Sequence, residues 1–310
     1  MFRLVVLAAV LALLAGCGAT ATSAHQDGRL QVVVGFYPLQ FVAQRVGDDH
    51  VVVANLTKAG AEPHDLELAP RDVAAVDEAD VVLYLRGFQP ALDDAVTAQA
   101  TDTALDVAKA ARLDLLAASL QTREDAPAHL GAGSPRAALD PHFWLDPTRL
   151  ADVADATASR FAEIDPAHAD EYRRNAAALR TDLHVLDDEL RQGLAHCASR
   201  DLVTSHSAFG YLARRYGLEQ VGIEGLNPEG EPRPQDLAEV ARFAREHHVS
   251  TVYYETLVSP DVARTVARET GARTAVLDPL EGLTDQSAGS DYLQVMRANL
   301  ETLRKGQSCR

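Results

Sequence analysis

Residues 167–195 read AHADEYRRNAAALRTDLHVLDDELRQGLA. The whole segment from 148 to 198 is nearly free of glycine and rich in Ala, Leu, Arg, Asp and Glu. Pro166 divides it into two helices, because a proline inside a helix removes a hydrogen bond and clashes with the preceding turn. At ~1.5 Å per residue the second helix reaches roughly 40 Å. A helix that long can run the length of a two-lobed protein and join its lobes. On both sides of it strands and helices alternate. Before it come the apolar runs LQVVVGF (30–36), VVVANL (51–56) and VVLYL (81–85), with helices predicted from near Pro38 and over 71–79. After it come DLVTS (201–205), VSTVYYE (249–255) and RTAVLD (273–278). Between these lie a helix ended by Gly217, a second in PDVARTVARETG, and a closing helix after Ser290, its expected cap. Continuous β-branched runs of this kind suit strands buried on both faces, as in a parallel sheet flanked by helices. The expected fold class is α/β, with two α/β lobes, each carrying a mostly parallel sheet, joined by a long linking helix. The expected boundaries are 29–166, 167–197 and 198–310. No short repeat is present, and the Gly/Pro/Ala stretch 122–140 reads as an exposed loop.

The bulk composition bounds the function. The chain has 310 residues, 47% hydrophobic and 24% charged, a globular balance. With a net charge of -16 and three lysines it is a poor nucleic-acid binder. Its N-terminus, MFRLVVLAAVLALLAGC, has an early Arg3, a short apolar run and small residues. That is a signal peptide, too short to span a membrane comfortably. Leu14-Ala15-Gly16-Cys17 matches the bacterial lipobox, in which residues 1–16 are removed and Cys17 carries lipid; the alternative is an ordinary signal with an incidental cysteine. Residues 17–28 are then a small, polar tether, and the protein is anchored to a membrane without crossing it. Outside the cytoplasm the remaining even pair, Cys197 and Cys309, reads as a disulfide, with free thiols or metal thiolates as rivals.

Four residues fall in loops where an α/β protein binds ligands, beyond the carboxyl ends of strands. His64 lies in GAEPHD after the 51–56 run. His142 lies in DPHFWLDP, between two Asp-Pro pairs that keep the chain out of the helical region. His206 follows the strand at 201–205, and Asp278 ends the run before Pro279. Three imidazoles and a carboxylate suit four-coordinate Zn2+, with Mn2+ or Fe2+ less preferred. Taken singly, a loop histidine is most often surface polarity and Asp278 a turn former. The spacings match no short metal motif, and no His-Glu-x-x-His or Cys-x-x-Cys occurs.

GAEPHDLELAPRDVAAVDEADVVLYLRG, DPHFWLDP, TSHSAFGYLARRYGL and AVLDPLEGLT together resemble, in order, the four ligand loops of the solute-binding lipoproteins of zinc and manganese ABC importers. The resemblance covers nearly the whole chain after the tether. It implies metal ligands at His64, His142, His206 and Asp278. Manganese-type members place a glutamate at the third position, so His206 points to the zinc subtype. Glu62 and Glu255 are expected beside the ligands, or at most as substitute ligands, and Trp144, with Phe143, is expected to wall the metal from water. Zinc-type members often carry a histidine-rich loop before the second ligand; here that stretch has only His129 with Glu124 and Asp125 nearby, which implies no scavenging role. The implied function is extracytoplasmic capture of Zn2+, or alternatively Mn2+ or Fe2+, for a membrane permease, by a lipid-anchored monomer on the outer face of a bacterial cytoplasmic membrane. Rival readings are a metal-dependent hydrolase with Glu255 as general base, a surface adhesin holding metal structurally, and a siderophore or vitamin receptor.

Overall fold

The computed structural model describes residues 28–116, 139–226, 228, 232–257 and 259–310. The signal segment, Cys17 and most of the 122–140 loop lie outside the described residues. Two four-stranded sheets make the frame. The first contains β1 (Leu30–Val34), β2 (Val51–Asn55), β3 (Val81–Tyr84) and β4 (Ala104–Asp106), in the order β2-β1-β3-β4. The second contains β5 (Asp201–Thr204), β6 (Glu219–Gly222), β7 (Thr251–Tyr254) and β8 (Arg273–Val276), in the order β6-β5-β7-β8. Every pairing is parallel. The central strand β3 is buried along its whole length, as a strand covered on both faces must be.

Helices α1 (Tyr37–Gly47), α2 (Pro70–Glu78) and α3 (Pro90–Gln99) belong to the first lobe, and α4 (Pro147–Ile164) and α5 (Ala169–Gly193) form the central hairpin. Helices α6 (Gly210–Tyr216), α7 (Pro234–Glu246), α8 (Asp261–Thr270) and α9 (Tyr292–Gly306) complete the second lobe. Prolines open α2, α3, α4 and α7, where their missing N–H is not needed. Gly217 ends α6 in the left-handed region, φ 70°. The cap of α9 differs from expectation by one residue: Asp291, not Ser290, accepts from Gln294 N at 2.8 Å. The long helix is shorter at each end than the sequence suggests, because a 3-10 turn, Pro166–His168, opens it and Leu194 closes it. The sequence reading had no elements at α3, β4, β6 and α7.

Along α5 the buried residues Tyr172, Ala176, Leu179, Leu183, Leu186 and Leu190 recur at steps of three and four, one stripe of a helix. That stripe belongs to a core cluster that also takes in β1, α1, α4, α6 and α9, so both lobes share it. Phe41 of α1 stacks on Tyr292 of α9 with centroids 5.4 Å apart, directly across the lobe boundary. Two smaller clusters lie one in each lobe, on the faces of the sheets away from this shared core. Arg215 of α6 pairs with Asp187 of α5 and with Asp146 at 3.3 Å, tying the second lobe to the central hairpin. The structure joins Cys197 and Cys309, 112 residues apart. Among the described residues no helix is long and apolar enough to cross a membrane.

Candidate metal centre

The chain brings four side chains to one point between the lobes. His64, His142, His206 and Glu281 offer donor atoms that all lie within 4.8 Å of one another. His64 Nε2 is 3.3 Å from His142 Nε2 and 3.3 Å from Glu281 Oε1. Glu281 Oε1 is 2.9 Å from His142 Nε2 and 3.5 Å from His206 Nε2. Four donors around a tetrahedral zinc, at about 2.0–2.2 Å each, stand roughly 3.3–3.6 Å from one another. Three of these four separations match those edges, and the fourth, Glu281 to His142, is shorter at 2.9 Å.

Two of the imidazoles are held from behind by carboxylates, and the loop carrying the third is pinned. His142 donates from Nδ1 to Asp140 Oδ1 at 2.8 Å, and the same oxygen accepts from His142 N at 2.9 Å. His206 donates from Nδ1 to Glu255 Oε1 at 2.6 Å, which also accepts from Ser205 Oγ at 2.9 Å. A carboxylate only accepts, so both Nδ1 atoms carry hydrogen and both Nε2 atoms of the neutral rings present lone pairs to the centre. The loop carrying His64 is pinned by buried Gln89, whose Nε2 donates at 3.1 Å to Gly35 O, Pro63 O and Thr57 Oγ1. Position 35 must be glycine for this, because a Cβ there would lie 2.2 Å from Gln89 Oε1. Glu62 Oε1 accepts from His64 N at 3.0 Å. Trp144, with no exposed surface, lies 5.2 Å from the His142 ring, donates from Nε1 to Pro279 O at 2.7 Å, and accepts at its carbonyl from Tyr292 OH. It walls the site and also belongs to the core.

A buried convergence of lone pairs and a carboxylate demands positive charge. Burial and proximity push the groups accordingly. Burial alone would lower His142 and His206, but the carboxylates on both sides of each ring outweigh it and raise both, His206 strongly. For His64 burial outweighs the pull of Glu281 and leaves it lowered. Burial would raise Glu281, yet its three imidazole partners hold it well below the usual carboxylate range. Glu62, buried and facing Glu281, is pushed up to about 8. Without metal, protons supply the charge; a divalent cation supplies it with better geometry.

The sequence reading placed Asp278 fourth in this set, and the structure places Glu281 there instead. Asp278 is buried, but its Oδ1 accepts from Leu280 N at 2.8 Å, and its backbone is clasped by Asn299, which accepts from Asp278 N at 3.0 Å and donates to Asp278 O at 2.7 Å. Its carboxyl is raised to about 6 by burial and has no imidazole partner among these contacts. One oxygen of the aspartate closes a turn. Leu280 then adopts φ 60°, a left-handed conformation rare for a bulky residue, and this swings Glu281 toward the histidines.

The model of the family described as zinc-uptake complex component A, periplasmic, matches residues 32–306. The chain belongs to that family. The high-affinity zinc uptake system protein ZnuA of Bacillus subtilis is 33% identical over 97% of this chain and 96% of its own length. The zinc-binding protein AdcA of Streptococcus pyogenes is 34% identical over 90% of this chain, which spans 56% of that longer protein. Among solved structures, the Zn(II)-bound ZnuA-like domain of Streptococcus pneumoniae AdcA superposes with a TM-score of 0.73 at 31% identity, covering 90% of this chain and 99% of that one. The laminin-binding protein of Streptococcus agalactiae, an adhesin with metal-transporting activity, reaches a TM-score of 0.76 at 31% identity, covering the same shares.

In this member of the zinc-uptake family, sequence reasoning missed Glu281, Asp140 and Gln89. Two had a local signal. Asp140 stands two residues before His142, the spacing at which an aspartate bonds back to the following chain, and Asp278 before Pro279 is a turn former that leaves Glu281 free. Gln89 had none, since its partners come from two separate loops, after β1 and after β2.

Proposed function

We propose that the protein is the extracytoplasmic receptor that captures Zn2+ and delivers it to the membrane permease of an ABC importer, with His64, His142, His206 and Glu281 as ligands. The observation that carries this reading is the buried convergence of three imidazoles and one carboxylate, whose donor atoms all lie within 4.8 Å of one another. Three imidazoles favour zinc over manganese or iron(II), which prefer more oxygen donors. Four protein donors leave no position open for the water that a hydrolytic zinc activates, so the protein binds and releases and catalyses nothing. Glu62, Glu255 and Trp144 support the ligands, and Asp278 shapes the turn before the fourth.

Cleavage before Cys17 and its lipidation tether the receptor, as a monomer, to the outer face of the membrane. Release of the ion requires either that one of the lobes, 29–166 and 198–310, moves about the linking segment 167–197 or that one ligand loop swings, and the core shared by both lobes favours a small motion. In that oxidising setting the Cys197–Cys309 bond ties the C-terminus to the end of α5. The test is competitive titration of the metal-free protein with Zn2+ and Mn2+, alongside His206→Ala. Tight one-to-one zinc binding that exceeds manganese, and weakens by about tenfold or more in the variant, is expected. Tighter manganese binding overturns the metal assignment, and no tight binding of either overturns the receptor role.

A further inference from the structure

Gly210 is the first residue of α6, in the second lobe. Its backbone is not in the left-handed region, so its conformation does not require glycine, and alanine is the better helix former. What requires glycine is space. A Cβ on Gly210 would stand 2.6 Å from Asp140 Oδ2 and 2.7 Å from Leu115 Cδ2. Leu115 is half-buried and can shift. Asp140 is 2% exposed, its N–H donates to Leu115 O at 2.8 Å, and its Oδ1 holds both His142 N and His142 Nδ1. The carboxylate can relieve the contact only by turning, and turning breaks its grip on the imidazole. The adjoining Tyr211 hydroxyl accepts from Asp114 N and Leu115 N, both at 3.3 Å, so the start of α6 is fixed against this segment.

We propose that Gly210 is a positioning residue for metal binding: the missing side chain seats the Asp140 carboxylate, which orients His142. Through this seat the first turn of α6 in one lobe sets the ligand geometry of a loop leading into the central hairpin. The proposal rests on the reading of His142 as a zinc ligand.

The experiment is a double-mutant cycle on the full chain, with Zn2+ affinity measured by chelator competition for wild type, Gly210→Ala, Asp140→Ala and the pair. Gly210→Ala is expected to weaken zinc by roughly 10–100-fold, the range for loss of a ligand's hydrogen-bond partner. In the zinc-loaded variant the His142 Nδ1 proton should lose its hydrogen-bonded downfield NMR shift, which a merely structural role would not move. With the carboxylate removed the added methyl has room, so the double variant should match Asp140→Ala alone. Unchanged affinity in Gly210→Ala, or effects of the two changes that add, overturns the proposal. If Gly210→Ala does not fold, the double variant decides: recovery of folded protein with the affinity of Asp140→Ala supports the seat, and failure to recover overturns it. His142→Ala, run alongside, tests the ligand itself. Wild-type affinity there overturns the site reading and the proposal with it, whereas weakened binding there with an unaffected Gly210→Ala overturns the seat alone.

Discussion

Glu281 and Asp278 are two buried carboxylates three residues apart, and only Glu281 joins the cluster with the three histidines. Glu281→Gln keeps the shape of the side chain and removes its charge and its second equivalent oxygen. Loss of a partner one bond removed from a metal weakens binding roughly 10–100-fold. A direct ligand must lie at or beyond the upper end, so Glu281→Gln should weaken zinc by about 100-fold or more, ~2.8 kcal/mol at ~1.4 kcal/mol per decade. Asp278→Asn retains an oxygen that can accept from Leu280 N, as Asp278 Oδ1 does at 2.8 Å. It should weaken zinc by less than about tenfold, through the turn and not through the ion. Both affinities are read by competition with a chromophoric chelator at pH 7.5, where the buffer and chelator are common to the two variants. The metal-free proteins give a second reading. Glu281 touches all three imidazoles and helps raise His142 and His206, so Glu281→Gln should lower the titration of both rings while Asp278→Asn leaves them in place. If Asp278→Asn proves the more damaging change, the strand-end aspartate is the ligand and the assignment of Glu281 is wrong.

The metal-free protein should lose stability as pH rises above about 6.5, because His142 and His206 are raised in the folded state and give up their protons only through those higher values. Glu62 acts in the same direction up to about pH 8, whereas His64, being lowered in the folded state, opposes it only where the unfolded imidazole loses its proton, near the start of this window. Each imidazole contributes at most ~1.4 kcal/mol per pH unit. Thermal melts of apo protein from pH 6.5 to 8 should therefore fall while those of zinc-loaded protein do not; a flat apo profile would show that the rings are not held protonated. Zinc affinity should itself weaken as pH drops from 7.5 to 5, since protons compete for the imidazoles, and unchanged affinity over that range counts against a three-histidine site. His206→Glu should shift selectivity toward Mn2+ by replacing a softer donor with a harder one, read as the ratio of the two dissociation constants. Trp144→Ala, at a site with no exposed surface, should destabilise the fold by about 3–5 kcal/mol in denaturant melts, and a loss under about 1 kcal/mol would deny it a core role.

The alternation of apolar runs with helical segments was enough to read two α/β lobes, because strands buried on both faces leave continuous β-branched runs such as LQVVV and VVLY. The gaps have the same cause. Strand β4 is only three residues long and half-buried, and β6 carries two polar residues, Glu219 and Gln220, so neither leaves an apolar run to find. The stiffness of DPHFWLDP was also local information, written in its two prolines. The three histidines were legible because loops after strands are where such folds place ligands and because the surrounding motifs resemble a family. The fourth donor was not, since the choice between Asp278 and Glu281 depends on which carboxylate the turn consumes. That is decided by Leu280 entering the left-handed region and by Asn299, twenty-one residues away, clasping Asp278. The supports behind the ligands belong to the same class. Gln89 reaches Gly35, Thr57 and Pro63, and Glu255 reaches His206, only after the sheets have assembled. By itself the sequence determined what depends on neighbours in the chain: the elements, the rigid loop and the kinds of donor available. Tertiary structure alone decided which donors converge, because hydrogen bonds between distant segments form only when packing brings their atoms within about 3 Å.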